Sequence, residues 1–267
     1  MNYTKTVVIA DAHSAPSQDL RRFDWIGNYI AQNHIDKVVL LGDWVTMDSC
    51  SYFPVPRRER TTALEDILAG KEALSRMLGP IRREQDRLRR NRKRVWLPLL
   101  AWLDGNHEDR FNRRKQDDEE VLGSLVDLWE LLGIREEFDL MCRYREYLEI
   151  DGILYTHCPQ NGLGRPMTGV NRTRQIALQS SKPVVFGHTH KREYRDVARL
   201  GNANDINWAI NCPAFMEQNH VEEYAQGGAT GWTYGAVELT QYEDGTTVDR
   251  VIAMAEIESL YKENYNG

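Results

Sequence analysis

Five short apolar runs, each about as long as a buried strand, stop at residues able to ligate a metal ion. That pattern restricts the fold more than any other feature of the chain. Thr6-Val7-Val8-Ile9-Ala10 stops at Asp11-Ala12-His13, and Lys37-Val38-Val39-Leu40-Leu41 stops at Gly42-Asp43. Val95 to Leu103 stops at Asp104-Gly105-Asn106-His107-Glu108-Asp109, Ile153 to Thr156 at His157, and Pro183 to Phe186 at Gly187-His188-Thr189-His190. Apolar runs without polar alternation predict strands covered on both faces, as in parallel sheets. Parallel strands joined by right-handed crossovers present their C-terminal ends at one edge, where open α/β sheets place ligands.

The segments between these runs carry helical spacing. Asp19 to Asn33 places Leu20, Phe23, Ile26 and Ile30 on one face. Thr61 to Arg94 does the same with Leu64, Ile67, Leu68, Leu74, Met77, Leu78 and Ile81, and Gly79-Pro80 predicts a break into two helices. The Arg-rich part, Arg82 to Arg94, reads as a solvated face paired to Glu84 and Asp86 in preference to a polyanion-binding patch. Trp44 to Arg58 reads as loop. After the Gly105-Asn106-His107-Glu108 turn a helical stretch is expected through Leu132, burying Leu122, Leu125, Val126, Trp129 and Leu132 and stopping at Gly133. Tyr144–Ile150 and Ile153–Thr156 flank the hairpin signal Asp151-Gly152. A glycine-rich loop, 159–165, leads into a short helix near Arg172–Gln179, and it lacks the Lys-Ser/Thr of a nucleotide P-loop. Further strands are expected at Tyr194–Leu200, Ile206–Ile210, Thr233–Leu239 and Val248–Ala255, with 213–231 as a loop able to rim a site.

A chain of 267 residues can bury a core without help from disulfides or structural metals. Its net charge of −6 argues against broad, non-specific nucleic-acid binding. Cys50, Cys142, Cys158 and Cys212 are scattered, with no Cys-x-x-Cys pair, so reduced thiols are expected. The start of the sequence runs straight into strand-like residues with no signal-peptide core, and no apolar run reaches membrane-spanning length. A cytoplasmic protein without a membrane partner is the expectation.

A lone histidine at a strand end is more often a satisfied core or surface residue than a ligand. Here five of the seven histidines (His13, His107, His157, His188 and His190) sit at strand ends, leaving only His34 and His220 elsewhere. Convergence of that kind predicts a shared metal centre. Imidazole, carboxylate and amide ligands without cysteine suit Mn, Fe, Zn or Ni, with Mg as a further candidate. The ligand groups are too many for one tetrahedral ion with an open position, but they suffice for two ions sharing a carboxylate.

Asp11-x-His13, Gly42-Asp43, Gly105-Asn106-His107-Glu108, His157 and Gly187-His188-x-His190 resemble, in order, the signature of the calcineurin-like metallophosphoesterases. The resemblance implies a four-layer α/β/β/α sandwich of two mixed β-sheets flanked by helices, with the metal site at strand C-terminal ends. It implies one such domain over residues 1–267, with a helical insertion at about 58–94. Asp11, His13 and His190 would hold one ion, Asn106, His157 and His188 the other, and Asp43 would bridge them; manganese is the first expectation. His107 would be the proton donor, oriented by Glu108 or Asp109. The implied activity is hydrolysis of a phosphomonoester or phosphodiester, derived from a nucleotide or a nucleic-acid end, by attack of a metal-bridging hydroxide. Arg110, Asn161, Arg165 and Arg172 are candidate substrate contacts.

One departure bears on the branch. The protein serine/threonine phosphatases continue the Gly-Asp block to a second Asp and an Arg, where this chain has Gly42-Asp43-Trp44-Val45-Thr46-Met47. The stretch Gly42 to Phe53, with Asp48-Ser49 and Ser51, is similar to metallophosphoesterases encoded by tailed phages, which would place the protein in a host cytoplasm. An exonuclease or endonuclease of the same superfamily is the alternative enzyme, though the stretch after His190 leaves little room for that branch's capping domain. A non-catalytic interaction scaffold, like the retromer subunit of this fold, is the alternative of another class; retention of His107 and every ligand argues against it.

Overall fold

The computed structural model describes residues 2–52, 61–117, 127–198, 205–221, 228 and 230–262. Eleven strands among the described residues form two sheets. In the first, β1 (Tyr3–Ile9), β2 (Lys37–Leu41), β3 (Leu99–Leu103) and β4 (Leu140–Cys142) run parallel. β10 (Gly235–Tyr242) and β11 (Thr247–Ala253) add antiparallel on the far side of β1, giving the order β11-β10-β1-β2-β3-β4. The second sheet has the order β5-β6-β7-β9-β8, built from β5 (Leu148–Ile150), β6 (Ile153–Thr156), β7 (Val184–Phe186), β8 (Glu193–Ala198) and β9 (Ile206–Asn211). Its three central strands are parallel and its two edge strands antiparallel, so both sheets are mixed.

The alternation of side chains along each strand builds the layers. Val8, Ala10, Val39, Leu41, Ala101 and Leu103 of the first sheet face Ile153, Tyr155, Val185, Ile210 and Cys212 of the second in a core between the sheets. The opposite face of the first sheet, with Val7, Ile9, Val38, Leu40 and Trp102, is covered by helices. These are α1 (Arg21–Gln32), α2 (Ala63–Arg90) and the later α7 (Met254–Tyr261). Between α2 and α7 in sequence lie α3 (Asn106–Asp117), α4 (Leu128–Leu132), α5 (Ile134–Glu137) and α6 (Arg172–Gln179). Ile176 and Ala177 of α6 cover the outer face of the second sheet at Val184, Phe186 and Ala209. The result is the expected α/β/β/α sandwich.

Several elements differ in detail from their sequence expectation. The break at Gly79-Pro80 does not occur: α2 is one helix with Pro80 inside it. An interior proline costs about 3 kcal/mol, but Leu74, Met77, Leu78 and Ile81 are all buried on either side of it. Each such side chain gains roughly 1.5–3 kcal/mol on burial, which outweighs the lost helical bond. A Thr62–Glu65 capping box starts the helix. The strand before Asn106 begins only at Leu99, just past Pro98, which has no N–H for a ladder. Residues 144–147 form a turn at 144–145 and an irregular stretch instead of strand, and β4 arises from three residues, too few to show a period. The last strand stops at Ala253, because Met254, Ile257 and Tyr261 recur at helical spacing and bury as α7. Asp151-Gly152 is a two-residue hairpin turn with both φ positive, at 50° and 80°, as expected of that dipeptide. Gly133 stops α4 in the left-handed region at φ 78°. Leu122, Leu125, Val126 and Leu200 lie outside the described residues. Ion pairs of Arg87 with Glu84 and Arg89 with Asp86 occupy the Arg-rich end of α2. No helix among the described residues is long and apolar enough to cross a membrane.

Candidate metal centre

The parallel strands deliver their terminal residues to one edge, where the loops continue the sheet register by main-chain bonds. Asp11 N–H donates to Gly42 O at 3.1 Å, His13 N–H to Asp43 O at 2.8 Å and Ser14 N–H to Trp44 O at 2.8 Å. Gly187 N–H donates to His157 O at 3.0 Å, which ties β6 and β7 together in the same way. Asp11, His13, Asp43, His188 and His190 all have φ between 46° and 73°, a region uncommon for non-glycine residues. Backbone strain gathered at candidate ligands marks a site whose surroundings hold it against its local preference.

The side chains converge. Asp11, His13 and His190 offer ligand atoms within 4.8 Å of one another, as do His13, Asp43 and His107, and Asp43, His157 and His188. Asp43 Oδ2 stands 3.2 Å from His157 Nε2, 3.8 Å from His107 Nε2 and 3.9 Å from His13 Nε2, so one carboxylate is shared by the groups on either side. Asn106 Oδ1 lies 3.0 Å from His157 Nε2, and Asp11 Oδ1 lies 3.4 Å from His190 Nε2. Asp11 also accepts the His188 N–H on both its oxygens.

Three features of this set fit divalent cations. His13 Nε2 and His190 Nε2 face each other at 3.2 Å, where at most one proton fits between two lone pairs. His190 Nδ1 is buried and makes no hydrogen bond. His157 donates Nδ1–H to Leu41 O at 2.9 Å, which leaves Nε2 aimed at Asp43. Although burial opposes charge there, Asp43 raises His157 to about 9, so without an ion a proton supplies the cation the carboxylate requires. The same rings act back on Asp43. Burial pushes its carboxyl up, but His107, His157 and His13 hold it well below the usual range. His13 is pushed well below its ordinary value by burial and by His107 and His190.

His107 begins the first turn of α3, and its N–H donates to Asp43 Oδ1 at 2.8 Å. Its ring is held by a group the sequence did not indicate, the main-chain carbonyl of Thr46, which accepts from Nδ1 at 2.6 Å. Glu108 and Asp109 do not orient this ring, contrary to expectation. Successive helical residues point about 100° apart, so neither neighbour can share the His107 face. The buried Glu108 carboxylate instead accepts four main-chain amides: Asp43 and Gly105 on Oε2 at 2.9 and 2.7 Å, Trp44 and Val45 on Oε1 at 2.8 and 3.0 Å. It clamps the β2 loop to the β3 loop. Burial and the Asp43 and Asp104 carboxylates push Glu108 up to about 8, against those amides. Asp109 pairs with Arg113 at 3.1 Å. Burial pushes His107 down to about 4, against the pull of Asp43.

The candidate substrate contacts divide. Arg110 reaches the centre, donating from Nη2 to His107 Nε2 at 2.8 Å. Asn161 is a loop tie, accepting the Leu163 and Arg165 amides on Oδ1, and Arg165 is exposed. Arg172, half-buried, donates to Thr189 Oγ1 at 2.7 Å, and the same oxygen accepts from Asn211 Nδ2 at 2.6 Å. Tyr144 flanks His157 at 6.2 Å between ring centroids and Trp232 flanks His190 at 4.4 Å. Thr189, Asn211, Tyr144 and Trp232 carried no local sequence signal, because only the tertiary fold brings them to the ligands. All four cysteines are buried and free. Burial pushes Cys158 up to about 12, which removes it as a nucleophile.

No family model matches the chain, and no curated protein matches it. Among solved structures it is similar to wild-type Vps29 complexed with zinc from Entamoeba histolytica, at a TM-score of 0.35 and 11% identity over 94% of this chain and 99% of that one. A likeness so remote assigns neither family nor activity.

Proposed function

We propose that the protein is a dinuclear metal-dependent phosphoesterase. The observation that carries this reading is the shared position of Asp43 between two ligand groups, Asp11/His13/His190 on one side and Asn106/His157/His188 on the other. A carboxylate so placed neutralises two cations at once, and nitrogen and oxygen donors without thiolates suit manganese or its borderline neighbours. Bound ions would supply activation of water and neutralisation of charge on phosphoryl oxygens. The chain's own residues do the rest: Glu108 fixes the two loops, Asp43 and Asp11 orient the amides of His107 and His188, and the Thr46 carbonyl sets the His107 tautomer.

The substrate proposed is a phosphomonoester or phosphodiester from a nucleotide or nucleic-acid end. The test is hydrolysis of p-nitrophenyl phosphate and bis(p-nitrophenyl) phosphate by metal-stripped protein after return of Mn, Ni, Zn or Mg. Metal-dependent cleavage supports the reading, and the ratio of the two rates separates monoesterase from diesterase. Absence of turnover with two ions bound would turn the assignment toward a binding scaffold.

A further inference from the structure

Arg110 lies three residues after His107, on the same face of α3. Its Nη1 donates to Thr46 O and to Asp48 Oδ1, both at 2.9 Å, while Nη2 donates to His107 Nε2 at 2.8 Å. A guanidinium has no acceptor and does not lose its proton. His107 Nε2 is therefore the acceptor in that bond, and the ring proton sits on Nδ1, where Thr46 O takes it. Both nitrogens of His107 are thus engaged. For Nε2 to act as a proton donor it would need a proton pointed at a cation.

The charge balance points the same way. Among the described residues Arg110 has one carboxylate partner, Asp48, and it stands beside a cluster fitted to hold two further cations. A third cationic group there is repelled by bound ions unless an anion arrives with them. A guanidinium keeps its charge and offers several fixed N–H directions, so one N–H can turn to a phosphoryl oxygen while others hold the group in place.

We infer that Arg110 is the phosphate-binding side chain of this site, and that His107 Nε2 is the neutral acceptor that aims it. The assignment rests on the phosphoester reading above and adds its recognition group. On arrival of the phosphoryl group, the Arg110 Nη2–H exchanges His107 Nε2 for a phosphoryl oxygen. Nη1 stays on Thr46 O and Asp48. His107 is then a positioning residue for Arg110 in the free protein. Of the other arginines considered as substrate contacts, Arg172 is held on Thr189 and Arg165 is exposed in its loop, so neither is placed against the cluster in this way.

The test is calorimetric titration of inorganic phosphate into manganese-loaded wild-type protein, Arg110→Ala and Arg110→Gln, with metal content measured in each. The glutamine keeps donors for Thr46 and Asp48 but removes the charge. The expected result is at least a tenfold weaker phosphate affinity in both variants with metal content unchanged, and a matching rise in KM for p-nitrophenyl phosphate. Phosphate affinity in Arg110→Gln within twofold of wild type overturns the assignment, as does a wild-type protein that binds no phosphate. If Arg110→Ala sheds its metal, Arg110→Gln decides; metal loss in both shows a structural role and overturns it. Wild-type protein that binds phosphate through Arg110 yet cleaves no ester refutes the proposed activity and leaves this assignment standing.

Discussion

Gly105 stands so close to Asp43 that a β-carbon added to it would fall 2.1 Å from Asp43 Oδ1 and 2.3 Å from the Asp43 amide nitrogen. The carboxylate shared by the two ligand groups therefore occupies room that only glycine leaves. Gly105→Ala is expected to displace Asp43, lower metal content below half of wild type and cost about 1–3 kcal/mol from overpacking. Gly162→Ala, at a loop position with nothing within 4 Å, is the control and should leave metal content unchanged. Metal analysis and thermal unfolding of the two variants check this.

Glu108 satisfies four amides that its removal would leave without partners. Each buried amide so exposed costs about 1–3 kcal/mol, with water entry relieving part of the sum. Glu108→Ala should lose at least about 3 kcal/mol of stability, measured by denaturant unfolding with the slope unchanged. A loss under about 1 kcal/mol would show that the clamp contributes little.

Asp104 Oδ1 accepts from the indole nitrogens of Trp102 and Trp129, both at 2.7 Å, and Arg143 Nη1 reaches Oδ2 at 3.2 Å. The Arg143 guanidinium also lies over the Trp129 ring, 3.4 Å from its centroid. Asp104→Ala removes the acceptor common to all three and is expected to cost about 3–5 kcal/mol. A shift in tryptophan emission should accompany it. Unchanged emission would place these indoles outside the network.

His107→Ala and Asp43→Ala separate the roles at the centre. The first removes a ring whose nitrogens are engaged by Thr46 and Arg110, and it should retain metal while raising KM for p-nitrophenyl phosphate more than it lowers kcat, because Arg110 loses the acceptor that aims it. The second removes the carboxylate shared by both groups and should lose metal itself. Full metal and activity in Asp43→Ala would contradict a shared carboxylate.

The strand ends were readable because each apolar run is bounded by a polar residue of ligand type, as at Ile9–Asp11 and Phe186–His188. The runs indicated strands covered on both faces, whereas the four layers were implied only by the resemblance of the strand-end motifs to a known family. What escaped depends on apposition between loops distant in sequence. Glu108 sits beside His107 in the chain, yet its partners are the amides of Asp43, Trp44 and Val45 on another strand's loop. The Thr46 carbonyl is backbone, so no residue type could announce it. The left-handed φ of His13 and His190 is likewise not legible in sequence, since positive φ is uncommon for any one non-glycine residue even though histidine tolerates it better than most. Pro80 was read as a breaker because its local cost is visible in sequence, whereas the burial that offsets it is not.

Anomalous diffraction from manganese-soaked crystals would show whether Asp43 lies between two metal ions. The expected result is two peaks roughly 3.5–4 Å apart, one against Asp11, His13 and His190, the other against Asn106, His157 and His188, with the Asp43 carboxylate reaching both. A single peak, or none under conditions where manganese binds in solution, would contradict it.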